Sequence, residues 1–250
     1  MFDEVGLPIQ KKCVVAFIDF LGVSHKIKKD SQWTLNWLWI FYTIIVKEID
    51  GYKNIKFKIF SDNILICREI ENNNQSAVLE VLSIVDKIEM LMFMMGALFL
   101  RGAVVVDDMH FSSNFIYGKA LSKAYELESN LALYPRIIID SSVINLIDIK
   151  NTFITLDKDG QYFYNFLQSR IDKGKRKLSQ DLGMFCGNIL TNLKSNVNNP
   201  VVVNKMEWAI NYFNETCQKN QLKHKISEMD LNQIGINTSS IHIFPKLGSN

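Results

Sequence analysis

The segment Cys13-Val-Val-Ala-Phe-Ile-Asp19 constrains this chain more than any other: six apolar residues, several of them β-branched, closed by a carboxylate. A run with no polar face suits a central strand covered on both sides of a sheet. Gly22 permits a tight turn after it. Trp33 to Val46 then supplies a helix rich in Trp, Leu and Ile, and the uncharged stretch Ser31 to Val46 reads as a buried helix. That stretch is shorter than the roughly 20 residues a membrane-spanning helix needs.

Lys56-Phe-Lys-Ile-Phe60 alternates charged with apolar residues, Ser61-Asp62-Asn63 is a turn signal, and Ile64-Leu-Ile-Cys67 is a second apolar run. The three predict a β-hairpin with Asp62 at its tip. From Ala77 to Gly96 apolar positions keep helical spacing, Leu100 to Val106 predicts a strand, and Ala120, Leu121, Ala124, Leu127 and Leu131 mark a third helix before the strand Ile137-Ile138-Ile139. The order β-α-β-β-α-β-α-β contains the ferredoxin-like arrangement plus one helix and one strand. The expected fold is therefore α/β (α+β), a ferredoxin-like palm sheet with a helical C-terminal extension. Residues 1–150 form the expected catalytic domain. Residues 151–250 supply a hairpin about Asp157-Lys-Asp-Gly160 and two helices, Gln180 to Asn196 and Val201 to Gln221, broken at Asn198-Asn199-Pro200. This extension is expected to pack on the catalytic domain or on a second subunit.

Composition excludes some classes. A chain of 250 residues that is 48% hydrophobic and 22% charged is not disordered, and a net charge of +2 provides no uniform field to draw it onto nucleic acid or an anionic membrane. Cys13, Cys67, Cys186 and Cys217 form no CxxC pair and have no His spaced to complete a zinc site, which fits a reducing cytoplasm. Met1 to Lys12 lacks the apolar core of a signal peptide.

In a ferredoxin-like sheet the first strand neighbours the hairpin, so Asp19 and Asp62 face each other across one edge. Two carboxylates that close repel unless cations sit between them, and Mg²⁺ or Mn²⁺ typically binds one or two carboxylates plus substrate phosphates. Phe20-Leu-Gly-Val-Ser24 is a Gly-containing turn into a helix, whose backbone N–H groups suit phosphate oxygens, with the Ser24 hydroxyl as a further donor. The plain alternative is that Asp19 caps a turn and Asp62 suits a hairpin. Asp107 and Asp108 are rival carboxylates near the end of another strand. His25, His110, His224 and His242 show no metal or nucleophile spacing. Lys173-Gly-Lys-Arg-Lys177 is a basic loop, either solvated or able to reach a triphosphate from a partner subunit.

Asp19-Phe-Leu-Gly22-Val-Ser24 resembles the first metal segment of class III nucleotide cyclases, and Lys58-Ile-Phe-Ser-Asp62 resembles their second. Arg101-Gly-Ala-Val-Val resembles the strand before their next helix, and Tyr117-Gly118 through Ser122, Glu126 and Ser129 follows the spacing of their dimer-interface helix. Residues 13 to 145 carry these motifs in the family's order. The resemblance implies that Asp19, Asp62 and the Phe20 carbonyl hold two Mn²⁺ or Mg²⁺ ions. It also implies that the backbone of Leu21, Gly22 and Val23, with Ser24, binds the triphosphate, that Lys58 reads the base, and that the chain works as a homodimer.

The departures are specific. Ser122 and Glu126 stand where adenylate and guanylate cyclases carry Asn and Arg, and Phe115 stands at a purine-reading position. Intact metal carboxylates with altered purine positions resemble the pyrimidine cyclases of the bacterial Pycsar anti-phage systems. That resemblance implies cyclic UMP or cyclic CMP made from UTP or CTP, acting on a separate effector. Arg101 is the first candidate to replace the helix Arg as a catalytic charge; the alternative is that it only pairs with a surface carboxylate. The rival classes are a catalytically inactive cyclase-like binding module, a palm of the polymerase type, and a phosphohydrolase.

Overall fold

The computed structural model describes residues 1–52, 54–71, 75–95, 99–174 and 178–236, the side chains at 24 and 25 excepted. The chain divides into two compact units, Met1–Phe166 and Leu167–Asn250.

The first unit is built on one sheet. Strand β1 (Lys11–Phe20) is followed by helices α1 (Val23–Lys29) and α2 (Ser31–Ile49), the hairpin β2 (Ile55–Phe60) and β3 (Asn63–Glu69), and helix α3 (Gln75–Met94). Then come β4 (Leu100–Phe111), the short β5 (Ile116–Tyr117), α4 (Lys119–Asn130), β6 (Ile137–Ile139), α5 (Ser141–Ile144), and the hairpin β7 (Ile154–Leu156) and β8 (Tyr162–Tyr164). The strand order is β2-β3-β1-β4-β6-β8-β7, with β5 pairing β4. The first four strands, in the order β2-β3-β1-β4, have the ferredoxin-like topology expected from the sequence. The 154–164 hairpin, expected to belong to the extension, instead continues this sheet: Ile138 of β6 pairs with Phe163 of β8.

β1 is central because both of its faces are apolar. Cys13, Val14, Val15, Ala16 and Ile18 are fully buried, with β3 and β4 antiparallel on either side. Strand alternation sends Cys13, Val15, Phe17 and Asp19 to one face and Val14, Ala16, Ile18 and Phe20 to the other. The first face is covered by α4, whose Ala120 and Ala124 pack with Cys13, Val15, Phe17, Leu65, Val105 and Met109. On the opposite face Phe20 makes edge contacts with Trp37 and Phe41 of α2.

α2 starts where Asp30 accepts a hydrogen bond from the Trp33 N–H at 2.9 Å. It is not the buried helix expected from its sequence. The stripe Thr34, Phe41, Ile45 and Ile49 is buried, with Trp37 half-buried beside it, and Trp33, Leu35, Trp39 and Ile40 are each more than half exposed. A single helix lying on a sheet turns one stripe inward, however apolar its other sides are.

Arg136, at the start of β6, is 1% exposed and forms ion pairs with Asp157 and Asp159 in the β7–β8 turn. The four cysteines are free. Among the described residues no helix is long and apolar enough to cross a membrane.

The second unit contains α6 (Phe166–Lys173, its first residue in the first unit), α7 (Leu178–Ser195), α8 (Pro200–Lys219) and α9 (Glu228–Gln233). Asn199 caps α8 by accepting from the Val201 and Val202 N–H groups, with Pro200 in the first turn. Phe185 of α7 stacks on Phe213 of α8 at 5.7 Å. Buried Asn214 exchanges two hydrogen bonds with the Ile226 backbone. Residues 175–177 of the basic loop lie outside the described residues.

Candidate active site

The site forms where β1 ends beside the β2–β3 hairpin. Asp19 pairs across the ladder with Asn63, and one step further the Phe20 N–H donates to the Asp62 carbonyl at 2.9 Å. In an antiparallel ladder a hydrogen-bonded residue turns both N–H and C=O toward its partner, so the Phe20 carbonyl lies on the Asp62 side. Asp19 and Asn63 then form the closer, non-hydrogen-bonded kind of pair, with side chains on one face. Asn63 Nδ2 donates to Asp62 Oδ1 at 3.2 Å, which links the Asp62 carboxylate to the residue opposite Asp19.

The hairpin loop is only two residues long, Ser61 and Asp62, because Phe60 pairs directly with Asn63. Ser61 has φ of 55°, the left-handed value demanded at the first position of a type II′ turn and usually supplied by Gly. A non-Gly residue in that conformation costs of order 1 kcal/mol. This tight loop keeps Asp62 within one residue of the β1 ladder.

Arg101 completes the cluster from β4, opposite Asp19 in the register. Its Nε donates to Asp19 Oδ2 at 2.9 Å, and its Nη2 lies 2.7 Å from Glu128 Oε1 of α4. Of the two roles the sequence left open for Arg101, pairing with a surface carboxylate does not describe this contact: the Glu128 side chain is 4% exposed and that of Asp19 15%. Gly102 allows the approach, since a Cβ there would lie 2.4 Å from the Phe17 carbonyl oxygen.

Glu128 was not singled out by sequence. It lies on the same helical stripe as Ala120 and Ala124, at steps of four residues, and an acidic residue on an otherwise apolar stripe is the signal that could have found it.

Arg101 thus bridges Asp19 and Glu128, and Asp62 lies across the ladder from Phe20, one residue beyond Asp19. Two carboxylates and a peptide carbonyl are hard oxygen donors of the kind Mg²⁺ and Mn²⁺ take, with substrate phosphates filling the remaining positions. That donor set fits the ions expected from the sequence. Among the described residues no group of three or more His, Cys, Asp or Glu side chains could hold a metal ion by itself.

The proposed phosphate turn is changed in one respect. The Leu21 N–H donates to the Phe99 carbonyl at 2.9 Å and so extends the β1–β4 ladder rather than facing a ligand. Gly22, at φ of 86°, is the left-handed residue that lets the chain leave the sheet and enter α1 at Val23. The first N–H groups of a helix, here from Val23 onward, have no intrahelical acceptor. The side chain of Ser24 lies outside the described residues.

Lys58 Nζ donates to the Ser113 carbonyl at 2.8 Å, and Lys56 Nζ to that of Phe111 at 3.0 Å. Both therefore reach from β2 to the end of β4 on the α4 face. Phe115 and Tyr117 stack at 6.3 Å and are more than half exposed. Ser122 Oγ donates to Glu126 Oε1 at 3.4 Å along the outer side of α4.

The rival carboxylates are displaced from this cluster. β4 runs on to Phe111, so Asp107 and Asp108 lie inside the strand opposite Cys13 and Lys12. Six residues of strand, about 20 Å, separate Asp107 from Arg101. His110 is buried with Nδ1 on the Ile9 carbonyl, and His224 Nε2 meets Ser179 Oγ at 3.3 Å. The side chain of His25 and all of His242 lie outside the described residues.

No protein-family model matches the chain, and no curated protein does. Among solved structures it is similar to the monomeric guanylyl cyclase domain of the RhoGC fusion protein from the aquatic fungus Blastocladiella emersonii, at 19% identity. That match covers 62% of this chain and 94% of the other, with a TM-score of 0.48. It is similar to the guanylyl cyclase Cya2 at 11% identity, covering 63% and 92%, with a TM-score of 0.47. A bacterial light-regulated adenylyl cyclase matches at 17% identity, covering 66% and 58%, with a TM-score of 0.45. At this level of likeness any statement of function rests on the residues of the site.

Proposed function

We propose that this protein is a nucleotidyl cyclase that converts a nucleoside triphosphate to its 3′,5′-cyclic monophosphate and pyrophosphate. The observation that carries the reading is the meeting of two acidic strand ends, with Asp19 one residue from the Phe20 N–H to Asp62 carbonyl bond. Asp19, Asp62 and the Phe20 carbonyl would hold two Mn²⁺ or Mg²⁺ ions. Such ions supply Lewis acidity at the ribose 3′-hydroxyl and at the triphosphate.

The chain's own residues do the rest. Gly22 and Val23 offer N–H groups to phosphate oxygens. Arg101 contributes a positive charge beside Asp19, where negative charge develops at the α-phosphate. Lys58 stands on the same sheet face as Asp19, two steps along β2 from the residue that pairs with Asn63, and serves the base.

The substrate is a pyrimidine nucleotide, UTP or CTP, because Ser122, Glu126 and Phe115 replace the groups that purine cyclases use. The product acts as a second messenger on a separate effector in anti-phage defence, and the enzyme works in the cytoplasm as a homodimer. Residues 1–150 carry the catalysis. A second reading, a cyclase-like module that binds nucleotide without turning it over, is favoured by the Asp19–Arg101 bond, which occupies a carboxylate that the reaction needs.

Purified protein incubated with ATP, GTP, CTP and UTP in Mn²⁺ or Mg²⁺, with products resolved by mass spectrometry, separates these readings. Cyclic UMP or cyclic CMP is expected from the parent and a loss of at least about 100-fold from Asp62→Asn. Cyclic AMP or GMP would overturn the pyrimidine assignment alone. Linear nucleotide would point to a phosphohydrolase, and no product from folded, dimeric protein would favour the binding module.

A further inference from the structure

Arg101 is gripped from two sides that differ in their exposure to water. The Glu128 side chain is 4% exposed and sits on the buried stripe of α4, its Oε1 2.7 Å from Arg101 Nη2 in an ion pair that lacks the geometry of a hydrogen bond. The Asp19 side chain is 15% exposed, lies near the end of the central strand, and accepts from Arg101 Nε at 2.9 Å. A carboxylate as buried as Glu128 stays ionised only beside a positive partner, and separating such a pair leaves an uncompensated buried charge. The bond at the more exposed end is the easier one to exchange, since water or another cation can take over there. The guanidinium is therefore anchored at Glu128 and exchangeable at Asp19.

We propose that Arg101 is the resident counter-cation of Asp19, displaced when a divalent ion arrives, and that Glu128 is the positioning residue that retains Arg101 at the site. The inference rests on the reading that Asp19 takes part in a metal site. Its physical basis is competition: the guanidinium and the ion seek the same carboxylate, and two cations that close repel one another. Glu128 draws part of the Arg101 charge away from Asp19, which eases the exchange. Glu128 also keeps the released guanidinium beside the site instead of letting it leave with the solvent.

The test is Mn²⁺ binding to nucleotide-free protein, read as free Mn²⁺ by electron paramagnetic resonance, with folding of each variant checked by its melting curve. Arg101→Gln removes the competitor and is expected to tighten Mn²⁺ binding at least about tenfold, the low end of what an adjacent opposite charge does to a carboxylate's proton affinity. Glu128→Gln leaves the Arg101 charge directed at Asp19 and is expected to weaken Mn²⁺ binding several-fold. Arg101→Lys keeps the charge and should stay near the parent.

Opposite shifts in the first two variants are the signature, because a purely structural role for Glu128 would not change ion affinity in folded protein. Should Glu128→Gln fail to fold, Arg101→Gln and Arg101→Lys together still decide the matter. A parent that binds Mn²⁺ in an Asp62-dependent way, with Arg101→Gln equal to or weaker than it, overturns this proposal and leaves the cyclase reading standing. A parent that binds no Mn²⁺ overturns both.

Discussion

Gly102→Ala tests how closely β1 and β4 must approach for the site to exist. The added Cβ would lie 2.4 Å from the Phe17 carbonyl oxygen and 3.0 Å from the Ile18 Cα, where ordinary contact begins at 3.4 Å. The shortfall of about 1 Å is against backbone atoms of the central strand, so no side-chain rotation relieves it and the two strands must separate. Overpacking of this kind typically costs about 1–3 kcal/mol, and a clash with backbone belongs at the upper end. For a chain of this size a loss of about 2–3 kcal/mol lowers the melting temperature of the first unit by roughly 4–12 °C.

The ladder that opens also carries Asp19 opposite Arg101, one residue along from Gly102. A displacement of about 1 Å at reacting groups can cost on the order of 100-fold in rate. Differential scanning calorimetry and turnover assayed well below the melting temperature are therefore expected to fall together. A variant with the parental melting temperature and parental turnover would refute the reasoning, since the strands would then have room that the backbone geometry denies them.

Two further outcomes concern stability alone. Arg136→Met removes a guanidinium that is 1% exposed and leaves Asp157 and Asp159 without it, so a loss of about 3–5 kcal/mol is expected by urea denaturation. Burial pushes the Asp140 carboxyl up, but hydrogen bonds from Lys123 and from the Ser142 hydroxyl and N–H outweigh it and hold it below the usual carboxylate range. A carboxyl with a depressed folded-state value contributes stability that is present above its unfolded value, near pH 4, and is lost as pH falls through the folded one. The stability difference between parent and Asp140→Asn should accordingly be constant from about pH 5 upward and shrink below about pH 4. A difference that persists unchanged at pH 2 would refute the assignment.

Much of the first unit could be read from local pattern. The run Cys13–Ile18 has apolar residues at both parities and can lie only between two covered faces. Lys56–Phe60, with two alternating lysines, reads as a hairpin strand with one polar face, and it is the terminal strand of the sheet. Asp62 at a hairpin tip, Gly22 at a left-handed turn, and the break before Pro200 follow from backbone chemistry that acts over a few residues. For the same reason Asp19 and Asp62 could be proposed as neighbours: once the strand order is ferredoxin-like, the end of the first strand meets the hairpin.

Tertiary structure decided what depends on contacts between distant segments. Nothing local in Leu100–Phe111 says that the strand runs past Asp107 and Asp108, because it is the ladder with β1, a distant segment, that carries β4 to Met109. The apolar composition of α2 does not say which stripe meets the sheet, and only packing leaves Trp33 and Trp39 outside. Leu21 looked like a phosphate donor until the Phe99 carbonyl, 78 residues away, was found to accept its N–H. Arg101 and Glu128 are 27 residues apart on different elements, and their pairing exists only once α4 lies across β1 and β4. Sequence thus determined which residues could carry charge at the sheet edge. The fold determined which of them hold one another, because an ion pair depends on distance in space, and distance along the chain does not predict it.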